Sequence, residues 1–60
     1  MGLITTAKAA EILAVNPATI RSMIRAGVLP AVRILSEYRI DEQDICRYIE
    51  ENKTRYPIIR

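Results

Sequence analysis

The sequence has no histidine, no tryptophan and no phenylalanine, and it holds one cysteine and two glycines in 60 residues. Each scarcity excludes something. Without histidine, and with Cys46 alone, there is no zinc-ligand set and no Cys–His or Ser–His pair for nucleophilic catalysis. A lone cysteine cannot close a disulfide within the chain. No run of about 18 apolar residues occurs, so nothing reads as a membrane span. Met1-Gly2-Leu3 lacks the basic and apolar regions of a signal peptide. Length is a further lack. There is room for one domain that buries about 60% of its unfolded surface. A pocket of the usual ~300–1,000 Å³ cannot be enclosed with a core still around it. The expectation is a small soluble intracellular domain, not an enzyme, with no cofactor, metal or small-molecule ligand, that binds a partner.

What is present is an even split of apolar and polar residues, with 50% hydrophobic, 27% charged and a formal net charge of +2. The charge is uneven along the chain. Residues 1–40 carry Lys8, Arg21, Arg25, Arg33 and Arg39 against Glu11 and Glu37. Residues 41–60 carry Arg47, Lys53, Arg55 and Arg60 against Asp41, Glu42, Asp44, Glu50 and Glu51. The positive excess therefore lies in the first two thirds, and it matters only if those cations share a face.

The local signals read as three helices and a hairpin. Thr5 can cap a helix over about Thr6–Ala14, with Ala9, Ile12 and Leu13 as its apolar stripe. Asn16-Pro17 is an N-cap followed by proline in the first turn, where a missing N–H costs nothing. The spacing of Ile20, Met23 and Ile24 carries this second helix over about Pro17–Ala26, and Gly27 supplies its stop. The gap between the two helices is short enough for a helix-turn-helix, or for an ordinary helical hairpin in a bundle. Ala31–Ile34 and Glu37–Ile40 alternate at period two around Leu35-Ser36, which is hairpin spacing with poor turn chemistry. Such a turn is either wider than two residues or strained. Asp41 caps a third helix ending near Asn52, with Asp44 as a box-like partner and Ile45, Tyr48 and Ile49 facing inward. Residues 1–52 thus read as one domain and 53–60 as a tail. Helix, tight turn, helix, hairpin, helix is the order of a winged helix-turn-helix, one of the small set of DNA-docking modules: mostly α with a small β-hairpin.

The stretch from Ile4 to Ile20, ITTAKAAEILAVNPATI, resembles the opening of the excisionase-type winged-helix domains, relatives of the MerR DNA-binding domain. The likeness continues through Ile24–Ile34, Tyr38-Arg39-Ile40, Asp44-Ile45 and Tyr48-Ile49, and covers about residues 3–50. It implies a DNA-binding protein of mobile elements. The second helix of such proteins enters the major groove and the wing meets backbone or minor groove. Many act as recombination directionality factors that bend an attachment site and help an integrase excise the element; others regulate transcription. The chain departs from the pattern at four places. Ala14 stands where glycine is frequent, Leu35-Ser36 replaces a glycine-rich wing tip, and Glu37 replaces a basic residue. Arg21 and Ser22 stand where an aromatic and a basic residue are frequent.

With Ile20, Met23 and Ile24 inward, the outer face of the second helix shows Pro17, Ala18, Arg21, Ser22 and Arg25. Arg21 is the leading base reader, because a guanidinium can pair bidentately with guanine; its alternative is a solvated surface arginine. Ser22 suits a base edge or phosphate and Ala18 a thymine methyl. Arg25 suits a phosphate, or simply the negative end of its own helix. Thr19 can donate to phosphate or bond its own backbone. Arg33, Ser36 and Arg39 are the wing candidates, both arginines being placed on the polar side of their strands. Arg39 could instead pair with Glu37. Lys8 is a phosphate contact or a solvated side chain. Tyr38 and Tyr48 read as core aromatics and Cys46 as a packing residue. The tail from Arg55 to Arg60 either folds back or docks onto a neighbour.

Double-stranded DNA is therefore the expected partner, with an integrase and further copies of the chain on adjacent sites as others. The setting is a bacterial or phage-encoded, nucleoid-associated cytoplasmic protein. The leading expectation is an excisionase. A small transcriptional regulator of the same fold is one alternative. A protein-interaction module without DNA binding, using the apolar tail and acidic third helix, is another.

Overall fold

A computed structural model describes residues 2–54. The expectations for the tail beyond Thr54 lie outside the described residues. The order is β1 (Leu3–Thr5), α1 (Thr6–Leu13), α2 (Pro17–Arg25), β2 (Val32–Ile34), β3 (Glu37–Asp41) and α3 (Glu42–Glu51). The three helices and the wing appear as expected, within a residue or two at their ends. β1 does not appear in the sequence reading. It pairs antiparallel with β3, so the wing becomes a three-stranded sheet of order β1-β3-β2.

The three helix caps form as their residue types dictate. Thr5 Oγ1 accepts from the Lys8 N–H at 3.1 Å, Asn16 Oδ1 from Ala18 at 3.1 Å, and Asp41 Oδ1 from Gln43 at 2.9 Å. Asp44 does not act as a box partner for Asp41; its Oδ1 accepts from Arg47, one turn on, at 2.9 Å.

α1 and α2 end in the same device. The Val15 N–H reaches the Ala10 carbonyl at 2.9 Å and the Ala14 N–H reaches Glu11 at 3.2 Å. Likewise Val28 N–H reaches Met23 at 3.1 Å and Gly27 N–H reaches Ile24 at 3.1 Å. This crossed pair is the Schellman arrangement, which requires a left-handed residue at its centre. The two ends differ in what fills that place: Gly27 has φ +79 and Ala14 has φ +59. Glycine takes that conformation without strain, and alanine takes it against its Cβ.

The core is wholly apolar: Ala9, Ala10, Ile20, Leu29, Ile40 and Ile45, flanked by Ile4, Leu13, Met23, Ile24, Ala31 and Tyr48. Three inward assignments are corrected. Ile12 is 43% exposed, because α1 turns Ala9 and Ala10 to the core and small side chains let α2 and the sheet approach closely. Ile49 is exposed at the far end of α3, beyond the reach of the small core, where Ile45 takes the buried place. Cys46 is exposed, one residue round the helix from Ile45, and does not pack.

The hairpin turn is two residues long, with Ile34 opposite Glu37. Of the two, only Leu35 has positive φ, at +58. The I′ pattern needs positive φ at both positions, so this is not a regular I′ turn, and at leucine the left-handed φ carries strain. The register also corrects the wing. Val32 faces Arg39 and Arg33 faces Tyr38, so the two arginines lie on opposite faces of the ribbon and not on one polar side.

Ala14→Gly is expected to stabilise the fold. Relief of a left-handed alanine is worth about 1–2 kcal/mol, offset by about 0.5–1 kcal/mol of extra unfolded-state entropy. The net gain is about 0–1.5 kcal/mol, a rise of a few degrees in Tm at the middle of that range for a domain of this size. Gly27→Ala, in open space but at the same backbone conformation, is expected to lower Tm by a similar amount. Thermal unfolding by circular dichroism checks both signs.

Candidate functional site

The fold gathers four arginines around one cleft. The cleft has a volume of ≈ 430 Å³ and is open to solvent, between the start of α1, the outer face of α2 and the wing. Arg21 and Arg25, one turn apart on α2, line one side of it. Arg33, Ser36, Glu37, Tyr38 and Arg39 line the other, and Thr5, Thr6 and Ala7 close its end. Four guanidiniums thus face a single carboxylate. Buried Ile20 fixes the rotation of α2 and so aims both of its arginines. The wing arginines sit on opposite faces of a narrow ribbon, yet both border the cleft.

The four cations are held differently. Among the described residues Arg21 and Arg25 make no ion pair and no side-chain hydrogen bond, and both are exposed. Arg33 lies over the ring of Tyr38, its guanidinium carbon 5.9 Å from the centroid, a cation–π placement that steadies it near the cleft. Arg39 is the most restrained: its Nη1 donates to Glu37 Oε1 at 2.9 Å and to the Tyr38 carbonyl at 3.1 Å. Glu37 is exposed, so this pair contributes at most about 1 kcal/mol to stability. Its clearer effect is to neutralise part of the basic surface and fix the guanidinium.

Other candidates lie elsewhere. Pro17, Ala18, Thr19 and Ser22 are exposed on α2, outside the cleft. The Thr19 hydroxyl has no bonding partner among the described residues, so it does not bond back to its own helix. Lys8 is exposed on α1 and its Nζ donates to Glu11 at 3.2 Å, away from the cleft. Thr5, Thr6 and Ala7 are cleft residues that sequence reasoning missed, Thr5 having been read only as a cap. The signal was available, because a helix N-terminus carries positive potential and attracts anions. Tyr38, expected in the core, is instead half-buried, and one ring face carries Arg33. The acids of α3 stay apart from the cleft, where Asp44 pairs with Arg47 and Glu50 with Lys53. The arrangement suits an anionic partner, since the cleft opens to solvent and four long cationic side chains line it against one carboxylate.

Comparison with known proteins gives one family. A helix-turn-helix domain model matches residues 3–53. Among curated proteins, the uncharacterized protein YvgK of Bacillus subtilis (strain 168) is similar. It is 35% identical over 54 residues, which are 90% of this chain and 18% of that protein. The chain therefore spans less than a fifth of that relative's length. No solved structure matches the chain significantly.

The free state of Arg21 and Arg25 leads to a direct expectation. Arg21→Ala and Arg25→Ala should each elute from a heparin column at lower salt than the parent. Their unfolding free energies should stay within about 0.5 kcal/mol of it, as for surface changes that break no contact. Glu37→Gln should elute later, because Arg39 is released.

Proposed function

The chain belongs to the helix-turn-helix domain family, and from that premise we propose that it binds double-stranded DNA sequence-specifically as an excisionase-type factor. In this role it bends attachment-site DNA in the bacterial cytoplasm so that an integrase can excise a mobile element. The observation that carries the reading is the cleft in which Arg21 and Arg25 of α2 meet Arg33 and Arg39 of the wing. A duplex satisfies both sides at once, with α2 in the major groove and the wing across the adjacent backbone. The resemblance of residues 3–50 to excisionase-type domains supplies the finer role.

Each side chain then has a task. Arg21 reads guanine through O6 and N7, and Ala18 lies against a thymine methyl. Ser22 bonds a base edge or phosphate, and Pro17 and Thr19 approach the backbone beside them. Arg25, Arg33, Ser36 and Arg39 meet phosphates, and Lys8 joins them by leaving Glu11. So few contacts give a modest salt dependence, a log–log slope of about −0.9 for each phosphate neutralised. Tight binding therefore draws on neighbouring copies or on the integrase.

A second reading is a transcriptional regulator of the same fold. One observation favours it: in the Bacillus subtilis relative the matching segment is 18% of a longer chain. The module is thus compatible with further domains.

Selection from a random-sequence duplex pool tests the common premise, with a defined consensus as the expected result. On the selected duplex, Arg21→Ala should lose about 1–3 kcal/mol and relax the preference at one position. Arg25→Ala should weaken all sequences alike and flatten the salt slope by about 0.9. An excision assay with and without the protein then separates the two roles, since excision unaffected by its loss leaves the regulator.

A further inference from the structure

We propose that Leu35 is an apolar wedge, entering the minor groove of the bound duplex and partly unstacking one base step. The proposal rests on the DNA-binding reading above and adds to it the residue that does the bending. Leu35 is 94% exposed, the most exposed large apolar residue among the described residues. A lone exposed leucine is ordinary on a protein surface. This one is also held at φ +58, in a turn just two residues long. Glycine, asparagine or aspartate fits such a place with little strain. Leucine is unfavourable there twice over, in its backbone and in its bare side chain, and nothing among the described residues covers it.

The surroundings say what would. Leu35 caps the hairpin whose Arg33, Ser36 and Arg39 line the basic cleft, while Leu35 itself lies beyond it. With Arg21 and Arg25 set against the major groove, the hairpin crosses the phosphate backbone and its tip meets the next groove. There the wing arginines reach the phosphates of the groove rims. The leucine side chain is the kind of apolar wedge that, inserted between base pairs, kinks a duplex. Pyrimidine–purine steps unstack most readily, so the wedge favours such a step without any hydrogen bond to it.

The test uses the full chain on the duplex chosen by random-pool selection, with end-to-end fluorescence transfer reporting the bend. A 2-aminopurine at the step under the wing reports unstacking. Leu35→Ala removes the wedge and keeps the strained backbone; Leu35→Asn removes the wedge and suits the turn; Leu35→Met keeps an apolar tip. The parent and Leu35→Met should brighten 2-aminopurine and bend the duplex by at least about 20°. Both Leu35→Ala and Leu35→Asn should lose the brightening and most of the bend, while still binding, about tenfold more weakly. Leu35→Asn should at the same time unfold at a higher temperature than the parent, so its loss of bending cannot come from misfolding. If Leu35→Asn bends and unstacks the duplex as the parent does, the wedge is wrong and the DNA-binding reading stands. If the parent selects no sequence from the pool, both fall.

Discussion

The placing of the two α2 arginines in the cleft depends on a three-residue turn, Ala14–Asn16, between α1 and α2. Two constraints meet in it. The crossed hydrogen bonds from Ala14 and Val15 end α1 and need a left-handed residue. Asn16 then opens α2 by capping Ala18, with Pro17 already set to a helical φ. Together they leave α2 almost no freedom of direction relative to α1. Its inward rotation is set by Ile20, which is fully buried. Arg21 and Arg25 follow from these, and the turn holds its shape against the Cβ of Ala14.

The division between core and cleft is unusually clean. No polar or charged residue among those described is buried, so the core needs no internal hydrogen bonds beyond the backbone's own. The cations of α2 and the wing are correspondingly free of structural duty. Among the described residues Arg21 and Arg25 make no ion pair or side-chain hydrogen bond, Arg33 is held by a cation–π contact, and Arg39 by an exposed ion pair and a part-buried hydrogen bond. Two acids of α3 have partners close in sequence, Asp44 with Arg47 and Glu50 with Lys53, and none of the α3 acids lines the cleft. Net charge alone would not reveal this; the separation is made by the fold.

Local chemistry was legible in the sequence wherever a residue type has one backbone use. Thr5, Asn16-Pro17, Asp41 and Gly27 mark helix ends, and each is found at one. What was illegible depends on distant partners. β1 is three residues long, too short to show a period, and it exists because Ile4 pairs with Ile40 far along the chain. The choice of Ala10 over Ile12 for the core rests on how closely α1 approaches its neighbours. For Ile49, a helical stripe marks a face but not how far along it the core extends, and Cys46 lies one residue off that face. Register decided the wing. Alternation places both arginines on the polar sides of their strands, but the pairing of Val32 with Arg39 puts Arg33 on the face of Tyr38 and leaves Val32 and Ile34 exposed beside Arg39 and Glu37. The cleft was half legible, since its arginines could be named and the contribution of the α1 start could not.

Among the described residues the strand order β1-β3-β2 leaves both outer strands with an open side, and Val32 and Ile34 on β2 are exposed at 47% and 43%. Exposed apolar edges of this kind are templates for adding strands from other molecules. Here each edge is limited to three residues. The chain turns into a helix directly after Thr5, and Pro30 ahead of β2 has no N–H to extend a ladder. A nascent intermolecular sheet could therefore form few rungs before it ran out of strand. A sheet built this short shields a small, half-apolar protein against self-association at the high local concentrations that crowding along a polymer would impose.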